Sequence, residues 1–348
     1  MTKIRGAFTA VVSPFCRDGS LDRDGLSDML SFQLESGVDG IVAAGTTGEA
    51  STLSSIEYHE VLEQCLAACS AGKAVPVAST GKNSTREAME MSAVAAKMGF
   101  ESLLLVDPYY NAPSSLEIRR EYVEPICRSL PDVSIIPYII PGRTGTQLLP
   151  QDIAILHSNF PNISSVKEAT GSLDNMKEVR KYCGSSLSIM SGDDALTYGA
   201  MTDDHIAANG VISVISNIFP QAVTGMVKSL LDGDAAEASR LRDMLSPWFE
   251  AVTVRSTESA PQGNVSLKYR NPVPVKSLMH LFGMPSGLCR QPLGRLGPNA
   301  TLSLLDLARE QYAKHPELFD SIEDFFDIDI GERILNPDLI KEISYEAY

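Results

Sequence analysis

A lysine stands directly after a short apolar run near the middle of the chain. Residues 163–166 read ISSV, and Lys167 follows at once. An amine that is partly desolvated where a buried strand ends has a pKa below its usual value of about 10.4, and its neutral form can attack a ketone to give a Schiff base. Lys82 follows another apolar run and is a rival on the same grounds. An ion pair with Glu168 is the structural alternative for Lys167.

Hydroxyl, phenol and guanidinium groups follow other apolar runs. Residues 45–49 read GTTGE, where glycines let the backbone approach a ligand, so that two hydroxyls and free amides can hold a small carboxylate; a plain turn is the alternative. Tyr109 and Tyr110 follow a later run, and Tyr138 and Arg143 belong to the next. Tyrosine can transfer protons and arginine can bind a carboxylate, although each alone is more often a packing or surface residue.

Acids, histidines and cysteines give little sign of a metal site. Asp193 and Asp194 are interpreted as helix N-caps in preference to paired catalytic acids. The five histidines are dispersed, and none follows a predicted strand. Cys65 and Cys69 lie four residues apart in an amphipathic helical pattern, so packing in the core is favoured over metal binding.

Short apolar runs alternate with longer helical patterns along most of the chain. The eight predicted strands are residues 6–12, 40–45, 74–80, 102–107, 134–140, 163–166, 187–192 and 210–215. Serine followed three residues later by glutamate, at 54/57, 84/87 and 114/117, marks helix starts. This pattern predicts an α/β fold, a (β/α)8 TIM barrel, with a doubly wound open sheet as the alternative. In a barrel, chemistry lies at the carboxyl ends of the strands.

The chain divides into three predicted regions. Residues 1–220 form the catalytic barrel, 221–300 a C-terminal helical subdomain, and 301–348 an extra acidic helix and tail. The polar stretch 255–274, rich in Gly and Pro, is predicted to be a long loop between two helices.

Charge and composition exclude several classes of partner. A formal net charge of −15 argues against nucleic acid and anionic membranes, which attract basic surfaces. No long uncharged apolar run suggests a membrane span, and the first ten residues lack the apolar core of a signal peptide. A cytoplasmic protein that acts on small molecules is expected.

Six segments together carry a resemblance to a known family. They read GTTGEA, DPYYNAPS, YIIPGRTG, VKEATGSL, SGDDA and GVISVISNI, and they follow the order and spacing of the dihydrodipicolinate synthase family of pyruvate-dependent class I aldolases, over roughly residues 4–300. The resemblance implies that Lys167 forms an imine with pyruvate and that Tyr138 is the general acid/base. It also implies a proton relay through Thr46 and Tyr110, with Tyr110 reaching in from the adjacent subunit.

The resemblance implies further roles in binding. Thr47 with its neighbouring amides would hold the pyruvate carboxylate, and Gly192 and Ile212 would line the pocket. No metal or separate cofactor is implied, because the covalent imine on Lys167 does that work. A homo-oligomer, either a dimer or a dimer of dimers, is expected.

Arg143, in the segment GRTG, decides the choice of second substrate within the family. It matches the synthase branch, in which this arginine is thought to receive the carboxylate of L-aspartate 4-semialdehyde, and so implies condensation to 4-hydroxy-tetrahydrodipicolinate in lysine biosynthesis. Ile139, where the family usually has Asn, and the long segment 256–271 motivate an alternative: a related aldolase or dehydratase acting on a 2-keto-3-deoxy sugar acid or another aldehyde. A non-catalytic paralogue is a third possibility.

Ser55 and Tyr58 replace residues of lysine-sensitive relatives, which predicts weak or absent inhibition by lysine.

Overall fold

Eight parallel strands close into a barrel, with the last strand pairing back onto the first. The computed structural model describes residues 3–348. The barrel strands are β1 (Gly6–Ala10), β2 (Gly40–Ala43), β3 (Val75–Ser79), β4 (Ser102–Val106), β5 (Ser134–Ile139), β6 (Ser165–Glu168), β7 (Ser188–Ser191) and β8 (Gly210–Ser213). The predicted TIM barrel is therefore confirmed, and the open-sheet alternative is wrong.

Helices surround the barrel and continue beyond it. They are α1 (Arg23–Glu35), α2 (Ser55–Gly72), α3 (Thr85–Met98), α4 (Ser115–Glu117), α5 (Glu124–Ser129), α6 (Pro141–Thr144), α7 (Pro150–Asn159), α8 (Leu173–Cys183), α9 (Asp194–Thr202), α10 (Pro220–Asp232), α11 (Ala235–Ala251), α12 (Val273–Leu281), α13 (Pro298–Lys314), α14 (Asp320–Phe326), α15 (Ile330–Arg333) and α16 (Pro337–Ile343). A π-helical turn (Ile118–Val123) joins α4 to α5, and 3₁₀ turns lie at Gly184–Ser186, Ile215–Asn217 and Pro316–Leu318. None of the helices in the described chain is long and apolar enough to cross a membrane.

The predicted helix starts owe their position to serine caps. Ser54 begins α2 with both halves of a capping box: its Oγ accepts from Glu57 N, and the Glu57 carboxylate accepts from Ser54 N. Ser114 does the same for α4. At Ser84, the structure shows the serine half, in which Oγ accepts from the N–H of Glu87 at the start of α3.

The sixth strand lies two residues further along the chain than predicted. The sequence places it at residues 163–166 with Lys167 just beyond its end, whereas β6 runs from Ser165 to Glu168. Lys167 is therefore a strand residue, and its side chain direction follows the alternation of the sheet. Lys167 faces the barrel interior, where it stacks over the ring of Tyr138, while Glu168 faces out toward Asn175 of α8.

The predicted long loop at 255–274 is wrong. This segment forms an antiparallel hairpin of two eight-residue strands, β9 (Thr253–Ala260) and β10 (Gly263–Arg270), joined by Pro261 and Gln262. Its alternation is concealed in the sequence because a buried position is occupied by a charged residue, Glu258, whose carboxylate accepts from the first N–H groups of α13.

Three apolar clusters fill the molecule. The barrel interior holds Ile4, Phe8, Ala10, Val42, Val77, Leu104, Ile136, Tyr138, Met190 and Ile212. A larger cluster lies between the strands and the surrounding helices. The third joins the C-terminal helices to the β1 and α1 side of the barrel. At its centre, the rings of four aromatic residues pack in tilted and edge-to-face contacts: Phe219, Trp248, Phe282 and Phe319. The division into regions at residues 220 and 300 stays a prediction.

Candidate active site

A cavity of about 560 Å³ opens at the carboxyl ends of the barrel strands. Six of the predicted site residues line it: Thr46, Thr47, Tyr138, Arg143, Lys167 and Gly192. They come from the ends of four strands, β2, β5, β6 and β7, although they are up to 146 residues apart in the sequence. The barrel closure that brings strand ends to one face explains their convergence.

Lys167 lies at the base of this cavity with only 4% of its surface exposed. The pKa of its amine is lowered to about 7, mainly by burial; the Asp194 charge opposes this shift, and the nearby Arg143 charge adds to it. Its Nζ lies 4.3 Å from the centroid of the Tyr138 ring. At neutral pH, a large fraction of this amine is therefore the unprotonated, nucleophilic form.

Tyr138 is positioned beside the lysine by strand pairing. In the β5–β6 ladder, Tyr138 and Lys167 are direct partners, so their side chains lie on the same face of the sheet. Tyr138 is 5% exposed, and burial raises the pKa of its phenol, against the opposing effects of the Arg143 charge and of a hydrogen bond with Thr46. A buried phenol that stays protonated can donate and take back a proton at a group bound to Lys167.

Gly192 provides the space that Lys167 occupies. A Cβ atom at this position would lie 2.9 Å from Lys167 Cε and 2.7 Å from Ala169 Cβ. Both distances are below the usual contact range, so a side chain here would displace the lysine or the end of β6. The residue type at 192 thus follows from the packing of the nucleophile.

The GTTGE segment forms a tight turn after β2. Glu49 N donates to Thr46 O, and both Ala44 and Glu49 adopt left-handed backbone angles (φ +51° and +52°). Thr47 is 2% exposed, and its Oγ1 accepts a hydrogen bond of 2.9 Å from Asn271 Nδ2. The turn therefore presents Thr46 and Thr47 to the cavity.

A buried ion pair fixes the turn from behind. Lys276 Nζ donates to Glu49 Oε1 at 2.7 Å, and both side chains are at most 1% exposed. The other carboxylate oxygen of Glu49 accepts from Arg290 N, and the Arg290 guanidinium pairs with Glu57 at the start of α2. The C-terminal part of the chain thus holds the turn that carries the two threonines.

Arg143 occupies the rim of the cavity on the short helix α6. Its Nη2 donates to Asn271 O at 2.7 Å, and Arg270 Nη1 donates to Gly142 O at 2.6 Å. These two reciprocal contacts join α6 to the base of the β9–β10 hairpin. The guanidinium is therefore held facing the cavity by a segment that the sequence analysis assigned to a loop.

The prediction for Asp194 is wrong, whereas that for Asp193 is confirmed. Asp193 is the N-cap of α9 and accepts from Ala195 N. Asp194 is 6% exposed, lines the cavity, and its Oδ2 accepts from Val214 N and Ile215 N. Burial raises the pKa of the Asp194 carboxyl. Asp194 could not be recognised as a site residue from the sequence, because adjacent aspartates at a helix start are usually caps.

Ile212 and Tyr110 lie apart from the six cavity residues. Ile212 is fully buried in the barrel interior, in one apolar cluster with Tyr138, and does not itself line the cavity. Tyr110 has a positive φ of 79° and is 88% exposed, so its ring projects from the surface of its own subunit. Both roles stay predictions.

Ile139 does not face the cavity. It is fully buried among the side chains between strands and helices, opposite in direction to Tyr138.

Tyr58, one of the residues that bear on lysine inhibition, is also buried and donates its hydroxyl to Ser79 O. Cys65 and Cys69 are buried core residues, as predicted. No cluster of three potential metal ligands occurs in residues 3–348.

Comparison with known sequences identifies a family that matches most of the chain. A sequence model of the Dihydrodipicolinate synthetase family matches residues 3–311. A 4-hydroxy-tetrahydrodipicolinate synthase of Pelobacter propionicus is 39% identical over 86% of this chain and 96% of its own length. One of Methanococcus aeolicus is 34% identical over 84% of this chain and 94% of its own.

Solved structures with similar folds cover most of the chain. A 4-hydroxy-tetrahydrodipicolinate synthase from the methanotroph Methylacidiphilum fumariolicum SolV has a TM-score of 0.80 and 34% identity, over 93% of this chain and 99% of that one. A dihydrodipicolinate synthase from Aquifex aeolicus has a TM-score of 0.79 and 32% identity, over 90% and 98%. The family match ends at residue 311, before α14 begins. The chain belongs to the dihydrodipicolinate synthetase family.

Proposed function

We propose that the protein condenses pyruvate with L-aspartate 4-semialdehyde to give 4-hydroxy-tetrahydrodipicolinate, a step of lysine and diaminopimelate biosynthesis. This reaction makes it a lyase of the class I aldolase type. The observation that carries the proposal is a buried amine with a pKa of about 7, paired in register with a buried tyrosine in the barrel cavity. The names of the relatives at 34–39% identity support the choice of reaction.

The chemistry begins at the Lys167 amine. Its neutral form attacks the C2 carbonyl of pyruvate, and loss of one water gives a protonated imine. The imine withdraws electrons, so that a proton leaves the methyl carbon and an enamine forms. The enamine carbon then attacks the aldehyde of the second substrate, making the new carbon–carbon bond. The amino group of that substrate closes the ring onto C2 and releases Lys167, so the reaction needs no separate cofactor.

Tyr138 is the proposed general acid and base for these steps. Its ring lies directly against Lys167 Nζ, within reach of the carbinolamine oxygen and of the aldehyde oxygen as each gains a proton. Thr46, hydrogen-bonded to Tyr138, is the next member of the proposed relay. Tyr110 of an adjacent subunit completes it. Its 88% exposure leaves the ring free to enter a neighbouring site, which supports a homo-oligomer of at least two subunits.

Two anchors are proposed for the carboxylates of the two substrates. Thr47 and its neighbouring amides hold that of pyruvate, close to the lysine, and Arg143 holds that of the aldehyde at the rim. Gly192 leaves room for the imine, and Ile212 belongs to the same apolar cluster as Tyr138. Fixing both reactants in this way converts the condensation into an effectively unimolecular step.

One of the two observations that motivate the alternative substrate, a 2-keto-3-deoxy sugar acid or another aldehyde, concerns Ile139. Ile139 packs outside the barrel, so the replacement of a polar residue there leaves the cavity surface unchanged. The cytoplasmic location and the weak response to lysine stay predictions.

The proposal is tested by initial rates with pyruvate and aspartate semialdehyde, coupled to the reductase that consumes the product. We expect turnover that disappears in Lys167→Ala. Absence of turnover in the unaltered enzyme, together with borohydride trapping of pyruvate on Lys167, would retain the imine chemistry and reject this aldehyde. Absence of both would reject the proposed function entirely.

A further inference from the structure

The β9–β10 hairpin has two chemically different faces. One face carries Val254 and Glu258, which are buried, and Tyr269, whose hydroxyl accepts from Gly297 N just before α13. The opposite face carries Thr253 and Arg255 from β9. From β10, it carries Lys268 and Arg270. The first face therefore attaches the hairpin to the C-terminal helices. The second face takes no part in that attachment.

The second face lines the cavity that contains Lys167. Thr253, Arg255, Lys268 and Arg270 all contribute to the cavity wall. Arg143 lies beside them, joined to the base of the hairpin by its contact with Asn271 O. Four cationic side chains thus face one opening of a protein whose net charge is −15.

The hairpin pairing brings two of these charges directly together. Arg255 and Lys268 are register partners across the two strands. Like charges at directly opposite positions destabilise an antiparallel pair. The charges of Arg270 and Arg255, then burial and the charge of Arg143, lower the pKa of the Lys268 amine. Cations are thus its dominant charged neighbours.

The nearby acids do not neutralise this face. Within residues 3–348, neither Arg255 nor Lys268 forms an ion pair with a carboxylate. Asp193 caps α9, and Asp194 accepts from two backbone amides at the far side of the cavity. Glu250, exposed at the end of α11, is the remaining acid of the cavity wall.

We propose that Arg255 and Lys268, supported by Arg270, form an anion-binding subsite at the mouth of the barrel, where they hold a carboxylate of the aldehyde substrate. The subsite captures that carboxylate before and during its transfer to Arg143, so the hairpin determines which aldehydes reach the enamine. This inference rests on the proposed aldolase function and adds specificity residues to it. A neutral aldehyde gains nothing from this face, whereas a carboxylated one is attracted and oriented by it.

The test compares Lys268→Gln with Lys228→Gln. Lys228 is an exposed lysine of α10, so the two variants make the same chemical change and the same change in net charge at different places. We expect Lys268→Gln to raise KM for the carboxylated aldehyde, and the double variant Arg255→Gln/Lys268→Gln to raise it about fivefold, with kcat and KM for pyruvate unchanged. Lys228→Gln should match the unaltered enzyme, and Lys268→Arg should restore the lost affinity.

Folding of the variants is checked by thermal unfolding. Removal of the opposed charges should leave the melting temperature unchanged or raise it, since repulsion across the hairpin is relieved. A raised KM in a fully folded protein is an effect that a purely structural hairpin would not give. A KM for the aldehyde that stays equal to that of Lys228→Gln in the double variant would overturn the proposal.

A binding experiment separates this proposal from the reaction itself. Enzyme loaded with pyruvate and reduced with borohydride is titrated calorimetrically with 4-oxobutanoate, a carboxylated aldehyde without the amino group. We expect about fivefold weaker binding in the double variant than in the reduced unaltered enzyme. This difference can appear even if aspartate semialdehyde is not turned over. Equal binding by the two proteins would overturn the subsite regardless of which aldehyde the enzyme uses.

Discussion

Two buried lysines of this protein lie over aromatic rings in the same way and do different work. Lys167 Nζ lies 4.3 Å from the centroid of the Tyr138 ring, and Lys276 Nζ lies 4.3 Å from that of Phe15. Their residues are 4% and 1% exposed. Burial and aromatic contact are therefore shared, and the difference must come from the other groups around each amine.

Hydrogen-bond acceptors distinguish the two sites. Lys276 donates to Ser13 O, to Glu49 Oε1 and to Leu288 O, so its charge is balanced and its protons are used. In the described part of the chain, Lys167 has no carboxylate within ion-pair distance and no hydrogen bond of this kind, and the positive Arg143 lies near it. A buried lysine that is surrounded by hydrogen-bond acceptors stays charged and holds chain segments together, so we call the Lys276–Glu49 pair the clamp. A buried lysine without such acceptors can lose its proton and act as a nucleophile.

The unpaired lysine carries a cost in folding free energy. Its pKa falls from 10.5 in the unfolded chain to about 7 in the folded one, so the unfolded state binds more protons between these two values. Folding stability attributable to this group therefore rises as the pH increases from 7 to 10.5, and the full penalty applies below 7. Other interactions in the protein must therefore offset the folding free energy that this buried amine costs.

The largest effect is expected from Lys167→Met, which keeps the length of the side chain and removes the amine. Turnover should fall by at least about 10⁴-fold, and pyruvate should no longer be trapped by borohydride. Because the charging penalty disappears, the free energy of unfolding at pH 8 should increase, by on the order of 2–3 kcal/mol. Rates, mass spectrometry after trapping, and denaturant unfolding measure the three quantities. Trapping of pyruvate on Lys82 in this variant would show that Lys82, and not Lys167, is the nucleophile.

The matching change at the clamp, Lys276→Met, should have the opposite effect on stability. It leaves the Glu49 carboxylate buried without its cation, which costs about 3–5 kcal/mol. Denaturant unfolding measures the loss, and Lys167 should still trap pyruvate in the folded protein. The double variant Glu49→Gln/Lys276→Met should recover part of the stability, because no unpaired charge remains. Equal stabilities of Lys276→Met and the unaltered protein would refute the assigned clamp.

A smaller effect is expected from Gly192→Ala. The added Cβ would lie 2.9 Å from Lys167 Cε and 2.7 Å from Ala169 Cβ, so the amine must move away from its position against Tyr138. We expect the rate of imine trapping to fall about tenfold to a hundredfold. Gly199→Ala is the control, since its Cβ would meet only Leu173 Cδ1, at an ordinary 3.5 Å, and α9 should gain stability. Equal trapping rates in the two variants would contradict the packing argument.

The barrel could be predicted from the sequence because most of its strands are buried on both faces, and β3 is at least half-buried. Such strands appear as short, nearly continuous apolar runs, and all eight were found. Their ends were less certain: the shift of β6 by two residues changed Lys167 from a residue that follows a strand to one within it. Position at the carboxyl end of the barrel still identified the lysine, since that rule tolerates an error of two residues.

The hairpin and Asp194 could not be predicted, for a common reason. Both depend on a carboxylate that is buried although its local sequence does not indicate burial: Glu258 lies beneath the hairpin, and Asp194 lies in the cavity. Their burial is compensated by backbone N–H groups from α13 and from the segment after β8. These donors come from parts of the chain 41 and 20 residues away, so the residues next to each carboxylate in the sequence do not indicate them.

The smallest effect concerns Asp194 and the pH at which Lys167 reacts. Because only the neutral amine attacks pyruvate, the rate of trapping should rise with pH to a plateau, with a midpoint at about 7. The Asp194 charge stabilises the protonated amine and so raises this midpoint. Asp194→Asn should therefore move the profile to lower pH. Asp193→Asn, which keeps an N-cap on α9, should leave the midpoint unchanged. An unchanged midpoint in Asp194→Asn would show that this carboxyl is uncharged beside Lys167, and that Arg143 and burial alone set the reactivity of the amine.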